Sequence, residues 1–324
     1  MSEETAPQQV EKEVAKVEAA AIKIQNVYRL QNGEWTDFEN GEVVDKADFY
    51  KIFHREMLSN GEQVCEIEYD KDGNELQKTA NTYDENGNVI LHELFTEGVL
   101  VEKTEIVYDE KQNVIKETRE FDEGFPLTTF FKYDEEGRVI EKRVDDVDGE
   151  LQKKETFAYH PIWKDKIVKR VLLDEEDQIT IEEDNEWEER SGEVKAKRFV
   201  VRDISMGKYR RTEFFDPRTR EDKIAIATFN EKEKVQEYVK IIFDEKDREL
   251  EEHSVSVNDS DNFIVYYTYD ALDRVIVQEQ HQGDKVVSKI NRRFGNEGLV
   301  ELIGIRSFTR GSYVDAFEYE FHEK

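Results

Sequence analysis

The sequence predicts an all-β chain: a tandemly duplicated array of antiparallel β-hairpin repeats, extended or solenoid-like, preceded by one short N-terminal amphipathic helix. Three observations carry this. From about residue 27 onward apolar residues alternate with polar ones, an aromatic–Asp turn unit recurs six times, and the spacing of these units repeats after about 160 residues.

Length and charge bound the rest. The 324 residues suit two ordinary domains or one large all-β unit. Lys+Arg 47 against Asp+Glu 77 gives a net charge of −30. Such a chain repels phosphate backbones and anionic membranes unless a basic patch intervenes, and the longest basic cluster is only Lys208-Tyr209-Arg210-Arg211. Neither nucleic acid nor a membrane is therefore expected as a partner. The start has no basic and apolar leader, no run approaches about 18 apolar residues, and the single cysteine, Cys65, cannot close an internal disulfide. Together these point to a cytoplasmic protein.

Taken in order, residues 1–7 are acidic and small with one proline, which predicts a disordered tail. Over residues 8–24, Val10, Val14, Val17, Ala21 and Ile24 recur at helical spacing and predict the amphipathic helix. Its apolar stripe either docks on the chain's own sheet or meets a partner, a second copy forming a homodimer included. Residues 25–163 form the first β-hairpin half and 187–324 the second. The acidic joint between them, 164–186, carries a degraded copy of the turn unit and is either linker or strand. Residues 64–69 show the alternation plainly, with Cys65, Ile67 and Tyr69 on one face and Glu66 and Glu68 on the other.

The six units begin at Tyr69, Tyr83, Tyr108, Tyr133, Phe243 and Tyr269. Each has a mechanical reading: an aromatic ends one strand, the Asp after it bonds nearby backbone N–H groups, and the fifth position needs φ > 0. Gly73, Gly87, Gly137, Asp247 and Asp273 suit that position; Gln112 is the exception. An apolar pair then opens the return strand. Aromatics at 69, 83, 108 and 133 answer to Phe229, Phe243, Tyr269 and Phe294, and Phe157 and Tyr159 to Phe317 and Tyr319, hence the expected duplication.

At Tyr133-Asp-Glu-Glu-Gly-Arg-Val-Ile140 and Tyr269-Asp-Ala-Leu-Asp-Arg-Val-Ile276 the chain resembles the YD-repeat family, the RHS-type repeats of bacterial polymorphic toxins and teneurin-like proteins. The resemblance covers about half the chain at motif level. It implies hairpins that wind into a β-rich shell, a binding or enclosing role, and repeats without catalytic residues. The copies are irregularly spaced and too few to close a large shell.

Catalytic constellations are not apparent. The six histidines, at 54, 92, 160, 253, 281 and 322, lack the close pairs of common metal sites. Cys65 alternates with glutamates on a strand and reads as a small core residue. The Asp-rich stretches at 70–75 and 145–150 read as hairpin turns, because glycine and glutamate do not fall where a calcium loop needs them. Residues 24–29 echo half of a calmodulin-binding motif without its second half. No catalytic residue, cofactor or metal is assigned. The residues that alternation does not require are aromatics: Phe125 at a turn, Phe131 beside Phe130, Trp163 after His160-Pro161, and Phe263 with Tyr267 beside Tyr266. They either pack in a second layer or form a partner-binding patch. The expected function is a non-enzymatic protein-binding or scaffold module; the alternative is an acidic immunity-type inhibitor that blocks a basic site on a toxin or nuclease.

Overall fold

The computed structural model describes residues 22–31, 49–257, 262–307 and 311–322. Among them every regular element is a strand. The first eleven are β1 (Ile22–Gln31), β2 (Tyr50–Met57), β3 (Gln63–Tyr69), β4 (Glu75–Tyr83), β5 (Val89–Thr96), β6 (Val99–Tyr108), β7 (Val114–Phe121), β8 (Leu127–Tyr133), β9 (Val139–Asp145), β10 (Leu151–Tyr159) and β11 (Ile167–Leu173). The others are β12 (Ile179–Arg190), β13 (Glu193–Asp203), β14 (Lys208–Phe214), β15 (Ile224–Phe229), β16 (Val235–Phe243), β17 (Glu249–Ser256), β18 (Phe263–Tyr269), β19 (Val275–Gln282), β20 (Lys285–Phe294), β21 (Val300–Ser307) and β22 (Gly311–Phe321). Their sequences, such as LTTFFKY in β8 and FIVYYTY in β18, are rich in the aromatic and β-branched types that fit a pleated surface.

Each strand pairs antiparallel with the next, and β22 returns to β1, from Ile22↔Phe321 to Gln31↔Tyr313. The sheet is a closed 22-stranded ring, not the open or solenoid-like array expected from the repeats. Alternation and turns specify neighbours but not closure. An open sheet would leave unpaired backbone along β2 and β22, and closure through β1 removes both edges.

The expected helix is also corrected. Ile22 and Ile24, at its C-terminal end, lie in β1, and so does the 24–29 stretch that echoed a helical calmodulin target. Ile24 fits either period, and pairing on both sides decides for strand. The rest of the expected helix, 8–21, and the tail 1–7 lie outside the described residues. Residues 164–186 hold β11 and the start of β12, both in the ladder.

Directly paired residues share a face, so two faces can be followed around the ring. One carries Cys65, Ala80, Lys103, Glu141, Lys169, Asp184, Glu279 and Leu302. The other carries Phe131, Tyr133, Phe157, Tyr159, Phe199, Phe214, Tyr267 and Tyr319. We term them the charged and the aromatic face, although both include charged residues in mid-strand.

Little of this surface is covered. Among the described residues the buried apolar side chains are Val27, Val144, Val200, Ala225, Ala227, Val265, Leu302, Val314 and Ala316. Their one cluster, Leu302, Val314 and Ala316 with Phe49 against it, sits on the charged face beside the seam. Substantial strand–strand contact occurs only between ladder neighbours. The ring is thus a single layer, held by ladders and same-face side-chain pairs rather than by a central core. At about 4.8 Å per strand the sheet is about 105 Å wide across its strands, and strand tilt makes the perimeter of the ring larger still.

Candidate functional site

Up-and-down topology puts turns from odd to even strands at one end of the ring and turns from even to odd strands at the other. The two rims differ in chemistry.

At the even-to-odd rim an aromatic at or near the end of seven even strands is tied to the neighbouring odd strand. The hydroxyls of Tyr83, Tyr108, Tyr133, Tyr159, Tyr269 and Tyr319 donate to the carbonyls of Gln63, Val89, Val114, Val139, Glu249 and Val300 at 2.6–2.9 Å. Trp187 Nε1 donates to Ile167 O in the same way, at 2.9 Å. Every acceptor is the first residue of the preceding odd strand. Partial burial pushes these phenols up from the ordinary tyrosine range. Cations from the preceding turn cover several of the rings: Arg138 on Tyr159 at 4.6 Å, Lys166 on Trp187 at 5.4 Å, Arg248 on Tyr269 at 4.6 Å and Arg274 on Phe294 at 4.3 Å. Turns are linked laterally too, by Arg248 Nη1 to Asp273 (2.5 Å) and Arg218 Nε to Asp247 (2.7 Å). This rim is belted.

The turn unit explains how the belt is aimed. Asp134 Oδ1 accepts the N–H groups of Glu136 (3.0 Å) and Arg138 (2.9 Å), and Oδ2 accepts Arg138 Nε at 2.7 Å, which holds the guanidinium over Tyr159. Asp244 with Arg248 and Asp270 with Arg274 repeat the arrangement. The same hydrogen bonds hold these carboxyls below the usual carboxylate range. The fifth position has positive φ in every unit, Gln112 included at 66°. The first residue of the apolar pair faces the aromatic, as Val139 faces Tyr133. The second, Ile140, is an unpaired bulge residue partly open to solvent, as are Ile90, Ile115 and Leu250. Asp70 and Asp146, in the two stretches weighed as calcium sites, accept N–H groups of their own loops instead. Cys65 is half-buried on the charged face, and burial pushes its thiol up.

The odd-to-even rim presents apolar side chains outward. Phe125 is 77% exposed, Met206 66%, Val257 64%, Val147 61%, Val99 55% and Ile204 53%. Among the described residues of the belted rim, only Ile162 and Leu272 project as far. A groove of about 370 Å³ lies toward the open rim between β15 and β18, lined by Thr228, Glu237, Ser254, Ser256 and Phe263. Farther along the aromatic face Glu252 and Tyr267 are both pushed up by burial. The basic cluster around Lys208 and Arg210 borders a second groove at this rim, with Asp203 and Glu231 in its wall.

The five aromatics singled out in the sequence are not brought together. Phe125 and Phe263 lie toward the open rim. Phe131 is half-buried on the aromatic face, with Lys142 Nζ 5.6 Å from its ring centre, while its neighbour Phe130 is exposed on the charged face. Tyr267 and Tyr266 divide in the same way. Trp163 belongs to the belted rim, where its ring stacks on His160 at 4.3 Å and its backbone N–H donates to His160 Nδ1 at 3.1 Å. The projecting Val147, Ile204, Met206 and Val257 were missed. Their available signal was an apolar residue inside a turn, as in Asp146-Val147-Asp148-Gly149.

No known protein family matches the chain, and neither does any curated protein. Among similar solved structures is the Photorhabdus luminescens Tc holotoxin pore with a TccC3 mutation, at 10% identity and TM-score 0.39, matching 93% of this chain and 17% of that one. The TcdB2–TccC3–Cdc42 structure matches at 11% identity and TM-score 0.28, over 84% and 19%. A porin-like protein from Bacteroides uniformis matches at 9% identity and TM-score 0.30, over 92% and 98%. This chain thus spans less than a fifth of the matched toxin chains.

Proposed function

We propose that this chain is a non-enzymatic protein-binding or scaffold module built from YD-type hairpins, and that it meets its partner through the open rim. The carrying observation is the contrast between the rims: one engages its aromatics in hydroxyl–carbonyl and cation–ring contacts, whereas the other holds Phe125, Met206, Val257 and Val147 out to solvent. Apolar side chains on turn tips bury area on contact without disturbing a ladder, which suits an interface. The −30 charge disfavours acidic partners and nucleic acid. Charges in mid-strand on both faces, Glu102, Glu155 and Arg170 on one and Lys103, Glu105 and Lys169 on the other, interrupt any apolar band that lipid would need along these described strands. That supports an aqueous, cytoplasmic setting.

The test is capture of partners from the native cell by the wild-type chain and by Phe125→Ser/Met206→Ser/Val257→Ser. Loss of the captured protein with an unchanged melting curve is expected, with binding little affected between about 50 and 300 mM salt. Capture that persists in the triple variant overturns the open-rim reading. Capture that collapses with salt favours the acidic-inhibitor alternative.

A further inference from the structure

Closure of the ring depends on one strand. β1 is held by nine residue pairs to β22 and by a bulged ladder to β2. Its covalent tie to β2 is the 18 residues 32–49, whereas the other connections run from two residues to nine. Val27 is the one buried side chain among the described side chains of β1. The rest of its hold is largely polar. Arg29 grips Asp315 through two 2.8 Å bonds while lying 4.0 Å over Tyr313; Asn26 meets His54 at 2.8 Å, and Gln25 accepts Arg55 Nη1 at 3.3 Å. Until β1 docks, β22 is an edge with Tyr313, Asp315, Phe317 and Tyr319 along one face, a template for any matching strand.

We propose that β1 is exchangeable and that two copies of this chain can swap it, each β1 closing the other copy's ring between β22 and β2. The slot asks for an extended segment of about ten residues with a cation opposite Asp315, and β1 itself meets both requirements. Eighteen connecting residues reach about 60 Å when extended, enough to cross into a second ring. A covalent connection of that length holds β1 at an effective concentration of about the millimolar range, so the cis arrangement prevails in dilute solution and exchange grows as the chain concentration approaches it. Folding favours the same outcome, because the seam joins the strands farthest apart in sequence and closes after the ladders beside it.

Charge reversal tests this in the full-length chain. Arg29→Asp alone and Asp315→Arg alone each place like charges at the seam, both in cis and in a swapped homodimer. Mixed, each variant completes the other: in a swapped heterodimer the acid introduced at 29 meets the base introduced at 315, and the second seam is native. Co-refolding at about 0.5 mM followed by native mass spectrometry should yield a 1:1 heterodimer, at least tenfold above either variant alone. Should the charge variants refold poorly, a second pair reports on the native seam: Arg29→Cys in one tagged copy and Asp315→Cys in the other, both with Cys65→Ser. Across a directly paired ladder position a disulfide can form, and it joins two copies only if β1 of one lies on β22 of the other. A covalent heterodimer, absent when Glu110→Cys replaces Asp315→Cys, is expected. Failure of both the heterodimer and the cross-link overturns the proposal.

Discussion

Gly137 occupies the fifth position of its turn with φ of +77°, and its N–H donates to Asp134 O at 3.1 Å. A β-carbon placed there would meet no atom within 4 Å, so a side chain has room and the cost of adding one is conformational. Valine resists the left-handed region most strongly because both γ-carbons crowd the backbone, and Gly137→Val should destabilise by about 1 to 2 kcal/mol. Asparagine tolerates that region. The chain itself places Gln112, Asp177, Glu233, Asp247 and Asp273 at φ between 59° and 68°. Gly137→Asn should therefore cost only a few tenths of a kcal/mol relative to glycine. Melting followed by circular dichroism separates the two: a fall of about 1.5 to 3 °C for valine and less than about 1 °C for asparagine. Equal melting temperatures for both would refute the reasoning, since sterics at the β-carbon cannot distinguish them there.

Tyr108→Phe removes the hydroxyl that donates to Val89 O at 2.8 Å and should cost about 0.5 to 1.5 kcal/mol in chemical denaturation; Phe243 and Phe294 at matching strand ends set the expectation toward the low end. Arg29→Ala leaves Asp315, 8% exposed, without its cation, and should lower stability by about 2 to 3 kcal/mol, below the cost in a fully buried pair because Arg29 is partly solvated. The turn aspartates Asp70, Asp84, Asp109, Asp134, Asp244 and Asp270 titrate below their ordinary value, and Asp222 is held at about 2 by Arg220. Because their folded-state values are depressed, their contribution is complete above the ordinary carboxylate range near 4 and is lost as pH falls through the folded values. Melting temperature should thus be steady from about pH 7 to 5 and fall below about pH 4; a rise on acidification would show that relief of the net negative charge outweighs the turns. Phe125→Ser, on a side chain 77% exposed, should leave the melting temperature within about 1 °C while weakening partner capture.

How much of this was legible in the residues differs from element to element. Tyr133 through Ile140 read correctly as a hairpin turn because every determinant is local: Asp134 bonds to N–H groups two and four residues away, and Gly137 supplies a backbone conformation that its neighbours require. Gln112 shows the limit of reading residue types, since the loop holds it at φ 66° although no small or Asx side chain marks the position. The belt was half legible. Arg138, Arg248 and Arg274 stand at one position of the unit, but that each covers the aromatic of the next hairpin follows only from the register placing that strand end beside the turn.

The sequence by itself determined the strand alternation, the turns and the order of neighbours, because a ladder between consecutive strands closes short loops and its side-chain period is two. Only the tertiary structure decided that the sheet closes. The β1–β22 pairing joins residues 286 apart, as at Arg29 and Asp315, and its gain lies in removing two unpaired edges, a property of the finished sheet that no local segment encodes. For the same reason Ile24 becomes strand and not helix: a residue that fits both periods takes the one whose backbone partners are already in place on either side.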